Sequence, residues 1–249
     1  MATAPAPYWP IVYVRGYAMT PAEIADAVSS PYMGFNVGAT KLRQAWDGQV
    51  RRHVFESPLV RLMKDCGYRD IYTDGTEIIG PVPARSGVIY RYYDSADPDL
   101  GTGKAPSIVA AAEGLRDLVH RLRVQVCGDD AEALAGFKVH LVAHSMGGLV
   151  CRCFLQNDAV STPADRALVD KVFTYATPHN GIEMAGLNVP ALLGLWDMNN
   201  FNRSVMADYL GLPAGSARVD SLDGKFDPQR FFCFVGTNHS DYAVALGLS

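Results

Sequence analysis

Residues 139–150, Val-His-Leu-Val-Ala-His-Ser-Met-Gly-Gly-Leu-Val, constrain the fold of this chain more than any other stretch. An apolar run breaks at Ser145. Small residues, Ala143 and Gly147, stand two positions before and after it, and a helix-like pattern follows. A strand, a sharp turn and a helix in that order would present one hydroxyl at the top of a sheet. Such a turn forces the serine into a strained backbone conformation, so bulky neighbours on either side would collide. The pattern is the nucleophile elbow, G-x-S-x-G, with Ala143 in place of the first glycine. Five residues with three fixed recur by chance, but here the flanking strand and helix supply the context the motif requires. The alternative is a strand-to-helix turn that merely uses a serine cap.

The same alternation runs along the chain. Ile11 to Val14 is a short β-branched run that ends at Arg15-Gly16 and reads as a buried strand. Residues 17 to 86 form a long excursion. Within it Phe55, Leu59, Leu62, Met63 and Cys66 make an apolar stripe at helical spacing, with Ser57-Pro58 near its start and Gly67 as a stop. Gly87 to Tyr93 reads as a strand and Ser107 to Val126 as a helix with Ile108, Ala111, Leu115, Leu118, Val119 and Leu122 on one face. Phe137 to Ala143, Lys171 to Ala176 and Phe231 to Val235 read as further strands, and Gly147 to Gln156 as the helix after the elbow. Strands alternating with helices in this way predict an α/β fold, a mostly parallel sheet flanked by helices, in a single domain spanning 1–249. Catalytic loops in such sheets gather at the carboxyl ends of the strands. Met184 to Leu212 is rich in Leu and Met and includes Trp196 and Phe201. An apolar insert over about 182–212 reads as a lid above the serine, or as a plain helical pair completing the core.

Composition narrows the partners. Of 249 residues, 49% are apolar and 19% charged, a balance that can bury a sizeable core. The net charge is −4 and no basic patch stands out, which argues against nucleic acid. The five cysteines are odd in number and form no C-x-x-C, so neither a disulfide framework nor a zinc site is implied, and buried free thiols are expected. No His/Cys/Asp cluster has metal-ligand spacing, and no cofactor is expected. The Ala/Pro-rich start carries no basic or apolar leader, and no apolar run reaches membrane-spanning length, so the expectation is a cytoplasmic chain without a transmembrane segment.

A serine hydroxyl is a poor nucleophile until a base, itself oriented by an acid, removes its proton. The developing oxyanion needs two backbone N–H groups. In a strand–elbow–helix arrangement one comes from the residue after the serine, Met146, and the other from the loop after the first catalytic strand. That loop is Arg15-Gly16-Tyr17, which makes the Tyr17 amide the candidate, with Gly16 letting the backbone turn close to the site.

These residues carry a resemblance. Ala143-His144-Ser145-Met146-Gly147-Gly148 and Thr177-Pro178-His179-Asn180-Gly181 resemble the elbow and the Thr-Pro-His segment of α/β-hydrolases of the lipase/esterase kind, nearest to inositol-deacylase-like and triacylglycerol lipases. The likeness covers roughly residues 11 to 245. Arg15-Gly16 stands where many relatives carry His-Gly, a departure the mechanism tolerates because the oxyanion donor is backbone. The resemblance implies hydrolysis of acyl esters or lipids through an acyl-enzyme on Ser145, with a lid that could contact a lipid surface. Acyl transfer to an alcohol would use the same site. An acidic nucleophile, which halide and epoxide chemistry would need, is not at the elbow.

The remaining triad members are open. The order should be serine, then Asp or Glu, then histidine after the last strand. Only His179 and His239 follow Ser145. His179 comes too early for the base, and its expected role is packing or hydrogen bonding. The resemblance places an acid and then a histidine after further elements, beyond Ser249, so that the chain would be C-terminally incomplete; Asp241 as the acid, with the histidine missing, is a separate reading. The competing reading keeps the triad inside the chain, with 218–222 as a short strand, Asp220 or Asp223 as acid and His239 as base. A hydrolase-fold protein that binds a lipid or partner without catalysis is the other class of function.

Overall fold

The structure, a computed structural model, describes residues 8–16, 39–44, 48–55, 58–73, 76–77, 79–92, 94–96, 101–184, 187–188 and 198–235. Six strands form one sheet: β1 (Ile11–Val14), β2 (Arg69–Asp70), β3 (Ser86–Tyr90), β4 (Val139–His144), β5 (Val169–Tyr175) and β6 (Phe231–Phe234). Their spatial order is β6-β5-β4-β1-β3-β2, and every neighbouring pair is parallel. The described helices are α1 (Pro58–Cys66), α2 (Ile108–Cys127), α3 (Ala131–Gly136), α4 (Gly147–Gln156), α5 (Pro163–Arg166) and α6 (Arg203–Tyr209). The fold is therefore α/β, with a parallel sheet flanked by helices.

The order of strands positions everything that follows. From β1 the chain passes to the β3–β2 side of the sheet. After β3 it returns across β1 to β4 and continues outward through β5 to β6. The reversal falls between β1 and β4, where Val14 and Ala143 are register partners. In open α/β sheets ligands bind at the carboxyl ends of the strands beside such a switch point. The residues that leave the sheet there are Arg15-Gly16 and His144-Ser145.

The core is built by two helices against the centre of this sheet. α2 starts at Ser107, whose hydroxyl accepts from the Ala110 amide at 3.1 Å, and ends at Gly128, which takes φ +56. It buries the face its periodicity predicts, Ile108 through Leu122. α2 packs against α4, and all ten residues of α4 are buried. A helix apolar on nearly every side belongs in the interior. Its exceptions, Arg152 and Gln156, are satisfied there. Arg152 donates to Gln156 Oε1 (2.9 Å) and to the carbonyls of His179 (2.8 Å), Val219 (2.6 Å) and Ser221 (2.8 Å), while Gln156 Nε2 also donates to the Ser221 carbonyl. This guanidinium ties the helix after the elbow to two irregular loops.

The structure departs from the sequence reading at several points. Residues 218–222 are not a strand. Their backbone is bonded by side chains instead of a ladder: the Val219 amide donates to Asn180 Oδ1, and the Val219 and Ser221 carbonyls accept from Arg152. Phe55 closes an antiparallel ribbon of 39–44 with 50–55 and is not in α1, because Pro58 sets the first helical turn and disfavours helix before it. Of the stripe on α1, Leu62 and Cys66 are half-buried and Met63 is 43% exposed. The last part of the apolar insert packs into the core, where Phe201, Met206, Tyr209 and Leu210 are buried. Trp196 and the middle of the insert lie outside the described residues. Cys151 and Cys153 are buried free thiols as expected, whereas Cys233 is exposed.

Candidate active site

Ser145 follows β4 directly and takes φ +51, a left-handed conformation that side-chain-bearing residues rarely adopt. Such strain, of the order of 1–3 kcal/mol, persists only where surroundings over-determine it. Here both peptide groups of Ser145 are held by the strand next door. Its amide donates to the Tyr175 carbonyl at 2.8 Å, and its carbonyl accepts from the Thr177 hydroxyl at 2.8 Å and from the Gly148 amide at 3.1 Å.

The small residues around the serine have distinct reasons. Ala143 is fully buried beneath the turn. A side chain at Gly147 would be driven into the Val14 and Arg15 carbonyls at the end of β1. One at Gly148 would be driven into Thr177. Gly16 faces the elbow from across the switch point, where an added Cβ would lie 2.6 Å from Ser145 Cβ and 2.9 Å from the His144 carbonyl. The loop after β1 and the elbow are therefore in backbone contact. On the far side the buried Tyr92 hydroxyl donates to the Arg15 carbonyl at 2.8 Å.

Met146 is the N-cap of α4, and no side chain caps this helix. The first amides of a helix have no intrahelical acceptor and attract negative charge, and the Met146 amide lies at this end of α4, next to Ser145. Tyr17 lies outside the described residues, as do His239 and Asp241. Asp223 sits in an exposed turn at φ +50, its amide donating to Ser221 Oγ. Among the described residues nothing connects its carboxylate to Ser145. The Asp220 carboxylate pairs with Arg218.

Two histidines flank the elbow in unlike settings. His144 is half-buried, and burial together with the Arg15 cation lowers its pKa. His179 is edge-on to Phe231, its Nε2 lying 2.9 Å from Thr174 Oγ1 and 3.5 Å from Cys233 Sγ. Burial, and then the Arg152 guanidinium, push its pKa down to about 4, so the ring is neutral. This is the packing and hydrogen-bonding role its early position predicts. Among the described residues no histidine bonds the Ser145 hydroxyl, and no group of three or more His, Cys, Asp or Glu side chains could hold a metal ion. No described helix is long and apolar enough to cross a membrane.

Three residues of this neighbourhood carry no signal in the motif alone. Arg152 could have been noticed as a lone charge within the apolar run of α4. Thr177 lies in the Thr-Pro-His segment, but its contact with Ser145 requires the sheet. Tyr92 is one tyrosine among several after β3.

No protein-family model matches the chain, and no curated protein matches it. Its solved structural relatives include a lipase from Bacillus licheniformis, at 15% identity over 99% of this chain and 77% of that one, with a TM-score of 0.38. A cutinase-like protein from Cryptococcus sp. matches at 14% identity over 99% of this chain and 92% of that one, with a TM-score of 0.37. Lipase B of Aspergillus fumigatus matches at 14% identity over 74% of this chain, with a TM-score of 0.34, and this chain spans 29% of its length. The likeness is one of general outline, and the site stands on the sheet order and the elbow.

Two predictions follow from this geometry. Glycine carries no penalty at positive φ, so Ser145→Gly should be more stable than Ser145→Ala by roughly 1 kcal/mol. Equal melting temperatures for the two variants would show that the elbow is not strained. The second concerns His179, whose folded pKa lies below the ordinary 6.5, so the unfolded chain takes up the proton first. Its contribution is complete above pH 6.5 and is lost as pH falls towards 4, by at most on the order of 3 kcal/mol. Unfolding titrations of the wild type and His179→Gln should diverge in slope across that window. Parallel slopes would contradict it.

Proposed function

We propose that this chain is a serine ester hydrolase of the α/β-hydrolase kind, acting on acyl esters through an acyl-enzyme on Ser145. The observation that carries the reading is Ser145 at φ +51 between a central parallel strand and an uncapped buried helix, at the topological switch point. In the proposed reaction Ser145 Oγ attacks the ester carbonyl carbon while a base takes its proton. The tetrahedral oxyanion is held by the Met146 amide and by the loop after β1, for which Tyr17 remains the candidate donor. Collapse expels the alcohol, and water then hydrolyses the acyl-enzyme. His239 and Asp223 are the in-chain candidates for base and acid. The exposed turn at Asp223 lends that pairing little support. The apolar composition of the insert over about 182–212, read as a lid, favours a substrate with an acyl chain.

A second reading is a hydrolase-fold protein that binds a lipid or partner without catalysis, since a fold does not by itself carry an activity.

Hydrolysis of a short-chain p-nitrophenyl ester separates the two. The hydrolase reading expects turnover by the wild-type chain that Ser145→Ala lowers by at least about a thousandfold. If His239 is the base, His239→Ala should cause a comparable loss with the fold intact. Turnover equal to that of Ser145→Ala, in a folded sample, would favour the binding protein.

A further inference from the structure

The elbow is held by more than its own sequence, and the holding group sits on the next strand. β5 ends at Tyr175, and the following residue, Ala176, takes φ +51, a second non-glycine residue in the left-handed region. Its conformation is secured by β6, since the Ala176 amide donates to the Phe234 carbonyl at 3.0 Å. The kink has a consequence for the neighbour. It lets the Tyr175 carbonyl and the Thr177 hydroxyl reach the same residue from one side, the first accepting from the Ser145 amide and the second donating to the Ser145 carbonyl. Gly148 leaves the room that Thr177 occupies, because a Cβ there would overlap its side chain.

A planar trans peptide points its C=O and N–H in opposite directions. Whatever fixes the Ser145 carbonyl therefore fixes the Met146 amide. We propose that Thr177 is a positioning residue: its hydroxyl turns the Ser145–Met146 peptide so that the Met146 N–H faces the crevice where an oxyanion would form. The assignment rests on the hydrolase reading for its catalytic consequence. The geometric part stands independently of it: the hydroxyl, at 2.8 Å, makes the shorter of the two bonds to the Ser145 carbonyl, the other coming from the Gly148 amide at 3.1 Å. Thr177 touches neither substrate nor the reacting oxygen and acts through the backbone of Ser145.

The test compares Thr177→Val, which keeps shape and loses the hydroxyl, with Thr177→Ser, which keeps the hydroxyl. Thr177→Ala serves as a second hydroxyl-free variant should the valine fail to fold. Two readouts are taken on the full chain: the amide resonance of Met146 in a ¹⁵N-labelled sample, and p-nitrophenyl ester turnover. The expected result is a displaced Met146 resonance in the valine or alanine variant that returns in the serine variant. kcat should fall roughly ten- to hundredfold without the hydroxyl, with KM changed less than about twofold, and recover in Thr177→Ser. A Met146 resonance unmoved by loss of the hydroxyl overturns the positioning role. A moved resonance with unchanged kcat overturns its catalytic consequence. Wild-type turnover no greater than that of Ser145→Ala would instead overturn the hydrolase reading, whatever the resonance does.

Discussion

The site depends on one constraint, the anchoring of a strained residue between parallel strands. Ser145 leaves β4 at φ +51, and its amide and carbonyl are bonded to Tyr175 and Thr177 of the β5 end. Neither bond is available to an isolated peptide. The strain is therefore carried by the sheet, and it is local: two residues later α4 begins as a regular helix inside the core. A serine hydroxyl at the top of a central strand follows from this arrangement.

A second layer of side chains holds the loops around that point. Tyr92 secures the Arg15 carbonyl on one side of the switch point, and Thr177 secures the Ser145 carbonyl on the other. Below them Arg152 gathers the carbonyls of His179, Val219 and Ser221. Its guanidinium is buried and bonded to neutral acceptors, and desolvation lowers its pKa to about 10. The charge still persists at neutral pH, and losing it would strand buried carbonyls at a cost of roughly 1–3 kcal/mol each. The same cation adds to the burial that keeps His179 neutral, so one residue holds the path of two loops and reinforces the neutral state of the ring between them.

Much of this was legible in the sequence, for physical reasons. β1, β4 and β5 are buried parallel strands and read as β-branched or apolar runs, while α2 and α4 show the helical period of a buried face. The elbow was legible because its steric demand falls on small residues at fixed offsets. What escaped was long-range or short. β2 has only two residues, too few for any period. The segment 218–222 looked like a weak strand, but its backbone partners are side chains of α4 and of Asn180, which no local pattern encodes. Leu210 and Met206 could serve a lid or a core equally well by composition, and only packing showed that they belong to the core. The triad's base and acid remain candidates by position, His239 and Asp223, because no spacing rule links them to Ser145.

The central claim is that Ser145 is an activated nucleophile, and covalent labelling tests it most directly. The folded chain is treated with a fluorophosphonate and the modified residue is located by peptide mass mapping. A stoichiometric phosphonyl adduct on Ser145, absent from Ser145→Ala and after unfolding, is the predicted result. A folded chain in which Ser145 stays unmodified would contradict the account.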